Sequence, residues 1–241
     1  VIWLRSFLFT ALLFLSILPY SLAVIVAGLI SGSYQYTVAR HWATTNLRML
    51  RRICGLTYTV EGLENIPRQN CVVYIKHQSV FETILPFTIF PCQSFVLKRE
   101  LMWVPILGWA LRFIRPIAID RSSGGTAVKQ VVRQGRKHLS EGRWIIIFPE
   151  GTRMAPGKTR KYGLSGALLA TDTGCPVLPV AHNAGDFWRR RGLRKNAGTV
   201  RVIIGPPIDP AGRTPAEVNR LAQDWIESTM GRISKNYFKP A

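Results

Sequence analysis

The chain begins with a long apolar stretch. From Ser6 to Ala39 there is no Asp, Glu, Lys or Arg in 34 residues, and Ser6–Ile30 is nearly all Leu, Ile, Val, Phe and Ala. About 20 such residues are enough for a helix to cross a bilayer. Arg5 ahead of the run invites a signal-peptide reading. Cleaved signals, however, have apolar cores of about 7–15 residues, and the polar segment after Ser31 offers no persuasive cleavage site. The segment is therefore expected to be retained as an anchor. Pro19 in its middle predicts a kink or a break, giving either one kinked span or two short helices, Ser6–Leu18 and Pro19–Ile30, that dip into one leaflet and return. Tyr34, Tyr36 and Trp42, interleaved with Arg40, Arg48, Arg51 and Arg52, follow as headgroup-level anchors on a cytoplasmic face.

Beyond Gly55 the periodicity alternates. Strands are predicted at Leu56–Val60, Val72–Ile75, Ser94–Leu97, Phe113–Ile119, Trp144–Phe148, Val177–Ala181 and Thr199–Ile204. Pro116 fits an edge or a strand start. Helices are predicted around Phe81–Phe90, Leu101–Leu111 and Gly163–Thr173, and along the stripe of Ala127, Val128, Val131, Val132, Gly135 and Leu139. Thr214-Pro215-Ala216-Glu217 combines a capping box with proline in the first helical turn, and Val218, Leu221, Trp225, Ile226 and Ile233 give that last helix an apolar face. Alternating strands and helices imply an α/β sheet covered by helices.

Charge narrows the function classes. Thirty-two Lys and Arg against 13 Asp and Glu give +19, a surface that attracts anionic lipid, nucleic acid or phosphorylated substrates with acidic carriers. With 47% apolar residues the chain is no disordered polyelectrolyte. Cys54, Cys71, Cys92 and Cys175 show neither pairing nor metal spacing and read as small hydrophobes in a reducing compartment. No phosphate-binding glycine loop, dinucleotide fingerprint or serine-hydrolase elbow occurs.

Of the four histidines, His41 and His138 read as interfacial or surface residues and His182 as a packing or loop-fixing residue at a strand end. His77 stands apart. It ends the run Val72–Lys76, and Glu82 follows five positions later. On one straight helix the two would lie about 140° apart. With His77 in a loop and Glu82 in the first helical turns, the carboxylate can reach an imidazole nitrogen, fix its tautomer and make the other nitrogen the better base. Phe148-Pro149-Glu150-Gly151-Thr152-Arg153 follows a buried strand and places a flexible Gly151, a Thr152 hydroxyl and the Arg153 fork at its end. Arg121, after Ile119-Asp120, supplies a second guanidinium at another strand end.

Four blocks in this order, His77-Gln78-Ser79 with an acid at 82, Ile117–Arg121, Phe148–Arg153 and Val177–Asn183, resemble the 1-acylglycerol-3-phosphate (lysophosphatidate) acyltransferases of bacterial phospholipid synthesis. The resemblance runs from about Gly55 to Pro207. It implies a membrane anchor with an interfacial helix over residues 1–54 and, over 55–241, a single acyltransferase domain with a mixed central sheet covered by helices. It further implies that His77 is the general base, oriented by Glu82, and that Arg121 with Glu150, Gly151, Thr152 and Arg153 binds the glycerol phosphate. Val177–Ala181 would line the acyl-donor side, and Lys98 would lie near the active site. The family's usual acid is Asp, and here it is Glu, one methylene longer.

The expected reaction moves an acyl group from acyl-coenzyme A or acyl carrier protein, as co-substrate, to the sn-2 hydroxyl of lysophosphatidate, without a cofactor or metal. The expected partners are those substrates and anionic lipids, not nucleic acid, at the cytoplasmic face of a bacterial inner membrane. Two alternatives stand beside it. One is another lysophospholipid or lyso-aminolipid acceptor. The other is a non-catalytic basic lipid-binding or nucleic-acid-binding protein that uses the solvated rim Arg189–Arg191, Arg194 and Lys195.

Overall fold

The computed structural model describes residues 1–30 and 32–237, so Ser31 and the expected domain end at 241 lie outside it. The apolar stretch forms one helix, α1 (Ile2–Ile30), that runs straight through Pro19. The expected pair of short helices does not occur. One missing N–H removes one ladder bond, and the surrounding apolar residues continue the helix on both sides. A second helix, α2 (Tyr34–Cys54), turns back along the first and ends on Gly55 in the left-handed conformation (φ 66°), which a residue without Cβ adopts freely. Cross-helix hydrogen bonds show the antiparallel pairing. Trp42 and Asn46 donate to Ser16 Oγ at 3.0 and 3.3 Å, and Tyr20 OH meets His41 Nδ1 at 2.7 Å.

Seven strands form one sheet: β1 (Leu56–Glu61), β2 (Val72–Ile75), β3 (Gln93–Lys98), β4 (Ile117–Ile119), β5 (Trp144–Ile147), β6 (Val177–His182) and β7 (Gly198–Ile204). Their order is β1-β7-β6-β2-β5-β3-β4. The five strands β6, β2, β5, β3 and β4 are parallel, whereas β7 pairs antiparallel to β6 and parallel to β1. The sheet is mixed, and five C-terminal strand ends share one edge, where open α/β sheets place their sites.

Alternation along the strands fills two cores. Val73, Ile75, Phe95, Ile146 and Leu178 face α2 and the short turns α3 (Phe81–Ile84) and α4 (Pro86–Ile89). Val72, Tyr74, Ile145 and Ile147 face α6 (Gly125–Ser140), α7 (Ser165–Thr173) and α9 (Pro215–Ile233). Helix α9 carries the capping box in full, with Thr214 accepting from Glu217 N and Glu217 accepting from Thr214 N.

Two predicted segments fall differently. Leu101–Leu111 is a 3-10 turn (Arg99–Trp103) followed by α5 (Leu107–Ile114), because Pro105 lacks the N–H that would join them. Phe113 and Ile114 end α5 rather than begin a strand. Arg115 (φ 57°) reverses the chain, and β4 starts only after Pro116. Gly28 of α1 lets α5 approach closely, since a Cβ there would lie 2.2 Å from the Phe113 ring.

His138 is not a surface residue. It lies on the buried face of α6 with Val131, Gly135 and Leu139 and is 7% exposed. Burial, joined by the charges of Arg115 and Arg143, pulls its imidazole down to about 4 from an ordinary 6.5. A folded-state pKa below the unfolded one means stability that is complete above about pH 6.5 and lost as pH falls through about 4. Up to about 3 kcal/mol is expected to go in that window. Urea unfolding midpoints in detergent micelles at pH 7.5 and 4.5 check this: His138→Gln should lose less on acidification than the wild type, and equal losses refute it.

Candidate active site

Strand β2 ends at Ile75, and the next residues form the candidate catalytic loop. His77 Nδ1 lies 2.9 Å from Glu82 Oε1. The same oxygen accepts the backbone N–H of Gln78 at 2.7 Å and of Ser79 at 2.6 Å. The loop-then-helix arrangement thus closes the five-residue gap. Glu82 is 1% exposed, and burial alone would raise its pKa. The His182 and His77 imidazoles and the Ser79 N–H outweigh that and hold the carboxyl below the usual range. With Nδ1–H donating to a carboxylate, Nε2 is the nitrogen left to take a proton. The His77 ring stacks on Phe148, centroids 4.1 Å apart and planes at 17°.

The segment Phe148–Arg153, after β5, holds His77 from outside. Glu150 Oε2 accepts His77 N–H at 2.8 Å, and Met154 N–H donates to His77 O at 2.7 Å. Glu150 was expected on the acceptor side, but its carboxylate is buried and already engaged, because Oε1 receives Lys76 Nζ at 2.7 Å. Lys76 also donates to Glu227 Oε1 of α9 at 2.9 Å and to Tyr237 OH at 3.0 Å. Burial pushes Glu150 up to about 7. Lys76 and the His77 N–H pull the other way, and Glu227 adds to the rise.

Gly151 takes φ 68°, a left-handed turn that exposes Gly151 and Thr152 at the sheet edge. Arg121 Nη1 donates to Gly151 O at 2.5 Å, so the two predicted phosphate-binding segments meet. Partial desolvation lowers the Arg121 pKa, Glu100 opposes that, and the Arg153 charge adds a smaller lowering, so the two guanidinium groups sense one another. Arg153 Nε is buried without a hydrogen-bond partner. Lys98 sits at the same edge, on the end of β3, but its half-exposed side chain pairs with Glu100 at 2.9 Å and makes no described bond to the catalytic loop.

Arg153 also lines an open apolar cavity of about 760 Å³ between α1, α2, α4 and α5, with Leu13, Ile17, Trp42, Phe87 and Leu111 in its walls. Lys195, expected on a solvated rim, is 1% exposed and lines the same cavity. Its N–H donates to Ser6 Oγ at 2.9 Å, and its ammonium, 4.8 Å from the Trp188 ring centroid, bonds Thr10 of α1.

Sequence reasoning missed two polar residues that support His77, Lys76 and Glu227, whereas His182 has the loop-fixing role expected of it. His182 is fully buried, with Nε2 donating to Lys76 O at 2.7 Å and Nδ1 accepting Ala184 N–H at 3.3 Å. For His182, a histidine that closes the most buried strand end next to His77 was the available signal.

Comparison with known proteins bears on this geometry. A family model described as Acyltransferase matches residues 57–183. The chain is 43% identical over 235 residues to a 1-acyl-sn-glycerol-3-phosphate acyltransferase of Pseudomonas aeruginosa, covering 95% of this chain and 91% of that one. It is 28% identical to the human 1-acyl-sn-glycerol-3-phosphate acyltransferase alpha, over 75% of this chain and 65% of the relative. The crystal structure of the 1-acyl-sn-glycerophosphate (LPA) acyltransferase PlsC from Thermotoga maritima superposes with a TM-score of 0.80 at 23% identity, covering 98% and 97% of the two chains, and shows the same fold. This likeness along nearly the whole chain, with the family model over residues 57–183, places it in the 1-acyl-sn-glycerol-3-phosphate acyltransferase family.

Proposed function

We propose that the protein transfers a fatty acyl group from an acyl thioester to the sn-2 hydroxyl of 1-acylglycerol-3-phosphate, yielding phosphatidate. The observation that carries this reading is the His77–Glu82 pair at the sheet edge, with Arg121 bonded to Gly151 of the neighbouring loop and Arg153 of that loop lining an apolar cavity. His77 Nε2 removes the acceptor hydroxyl proton as the oxygen attacks the thioester carbonyl. The tetrahedral intermediate then expels the thiolate, which regains the proton from His77. An acyl thioester is already activated, so this route needs neither a covalent enzyme intermediate nor a cofactor. Arg121 and Arg153 hold the acceptor phosphate, and positioning of this kind can contribute more than the base itself. The cavity fits an acyl chain, and the +19 surface suits coenzyme A or an acidic acyl carrier protein.

The membrane reading rests on α1. Its buried stripe of Ser6, Phe9, Leu13, Val24 and Ala27 packs against the rest of the protein, while Phe7, Phe14, Leu18, Leu22 and Leu29 lie exposed on the other side. A helix seated lengthwise on its own domain favours insertion into one leaflet over a perpendicular span, with the arginines of α2 at the headgroups on the cytoplasmic side of a bacterial inner membrane.

The test is transfer from labelled acyl-coenzyme A, and then from acyl carrier protein thioester, to lysophosphatidate, with lysophosphatidylcholine as control. Arg153→Ala is expected to raise KM for lysophosphatidate about 10- to 100-fold, the size of one charged hydrogen bond to phosphate. Lysophosphatidylcholine carries a phosphodiester, so the phosphate role falls if the loss is as large with monoacylglycerol, which has no phosphate. Absence of transfer to lysophosphatidate with either donor would remove the reading.

A further inference from the structure

The Glu82 carboxylate is used unevenly. Oε1 takes three donors, whereas Oε2 is buried and has no hydrogen-bond partner among the described residues. His182 Nε2, at the end of β6, stands 3.7 Å from that second oxygen while donating to Lys76 O at 2.7 Å. The other ring nitrogen accepts Ala184 N–H, so the tautomer with hydrogen on Nε2 satisfies every bond the ring makes. His182 therefore touches both supports of the catalytic loop: the backbone of Lys76, next to His77, and the acid that holds the His77 ring.

We infer that His182 is a positioning residue for His77: its Nε2–H bonds Lys76 O and lies 3.7 Å from the second oxygen of Glu82, where charge–dipole attraction keeps the long carboxylate ionised and aimed. A shorter acid would withdraw from His182 by one methylene, so the glutamate and the second histidine form a unit. His77 and Lys76 are the other titratable groups acting on the pair, and Phe81 of α3 covers the His182 ring at 6.4 Å. This inference deepens the acyl-transfer reading and rests on it for its kinetic arm.

His182→Asn keeps a polar atom near Nδ1 but loses the Nε2 donor, whereas His182→Gln reaches the Nε2 position. With Asn, kcat is expected to fall about 10- to 100-fold, as when outer partners of functional imidazoles are lost. Both KM values should hold, and the acid limb of the kcat profile should move to higher pH, because Glu82 is then harder to keep ionised. Gln should restore most of kcat. In ¹⁵N-imidazole spectra, His77 should be fixed as the Nδ1–H tautomer in the wild type and averaged in the Asn variant.

Equal losses in Asn and Gln, or an unchanged profile and tautomer in Asn, overturn the inference. If His182→Asn does not fold, Glu82→Asp decides instead: an upward shift of the acid limb supports the coupling and an unshifted limb overturns it. Should the wild type fail to acylate lysophosphatidate, the functional reading falls on its own, and the spectra still decide the role of His182.

Discussion

Replacing His77 with alanine is expected to lower kcat for acyl transfer by about 10³-fold, within the range that a positioned general base contributes. The expectation follows from what the imidazole can and cannot do here. Nδ1 is committed to Glu82, the ring lies flat on Phe148, and the backbone is fixed from both sides by Glu150 and Met154, so only Nε2 can serve the acceptor hydroxyl. Because the proposed phosphate contacts, Arg121 and Arg153, lie outside the His77–Glu82 pair, KM for lysophosphatidate should change little, and kcat and kcat/KM should fall together, the signature of an interaction made in the transition state. Steady-state kinetics on His77→Ala and Glu82→Gln read this directly. Glu82→Gln, which keeps the shape but loses the charge that supports the imidazolium, should lose less than His77→Ala. A rate in His77→Ala within about five-fold of wild type would remove the histidine from the chemistry.

The part of this arrangement that the sequence displays is the part built from neighbours. His77 and Glu82 are five residues apart, Phe148–Arg153 is one contiguous block, and the strands around them are plain apolar runs. What the sequence hides depends on distant contacts or local conflicts. Lys76 looked like a polar end to a strand, yet Glu227, which meets it at 2.9 Å, lies 151 residues away on α9. Pro19 signals a break that an unbroken apolar helix overrides, and Phe113–Ile119 reads as one strand because a left-handed Arg115 leaves no mark in hydrophobicity. Glu150 shows how a motif residue can be legible in place but not in its contacts. Its position beside the site was legible, whereas its burial against Lys76 was not.

That buried cluster carries the largest stability effect expected in the protein. Lys76→Met leaves Glu150 and Glu227 facing one another without a cation, in a site where the Lys76 and Glu150 side chains have no exposure and Tyr162 OH also bonds Glu227, at 2.6 Å. Removing one partner of a buried ion pair costs about 3–5 kcal/mol, mostly because the remaining charge cannot be solvated. The dependence on pH has a definite sign. Glu150 already titrates near 7 in the presence of Lys76, and without the lysine its pKa climbs further. A carboxyl with a raised folded pKa stabilises fully below its ordinary 4.5 and loses that contribution as pH rises through the raised value. The deficit of Lys76→Met, measured by urea unfolding in micelles, should therefore be small at pH 5 and largest at pH 8. Adding Glu150→Gln removes the stranded charge while its amide oxygen can still accept the His77 N–H, so the double variant should recover most of the lost stability and part of the activity. A single variant as stable as wild type across that range would mean that Lys76 is held by the fold without holding it. In that case the Glu150, Glu82 and Met154 contacts would hold His77 without help from the lysine.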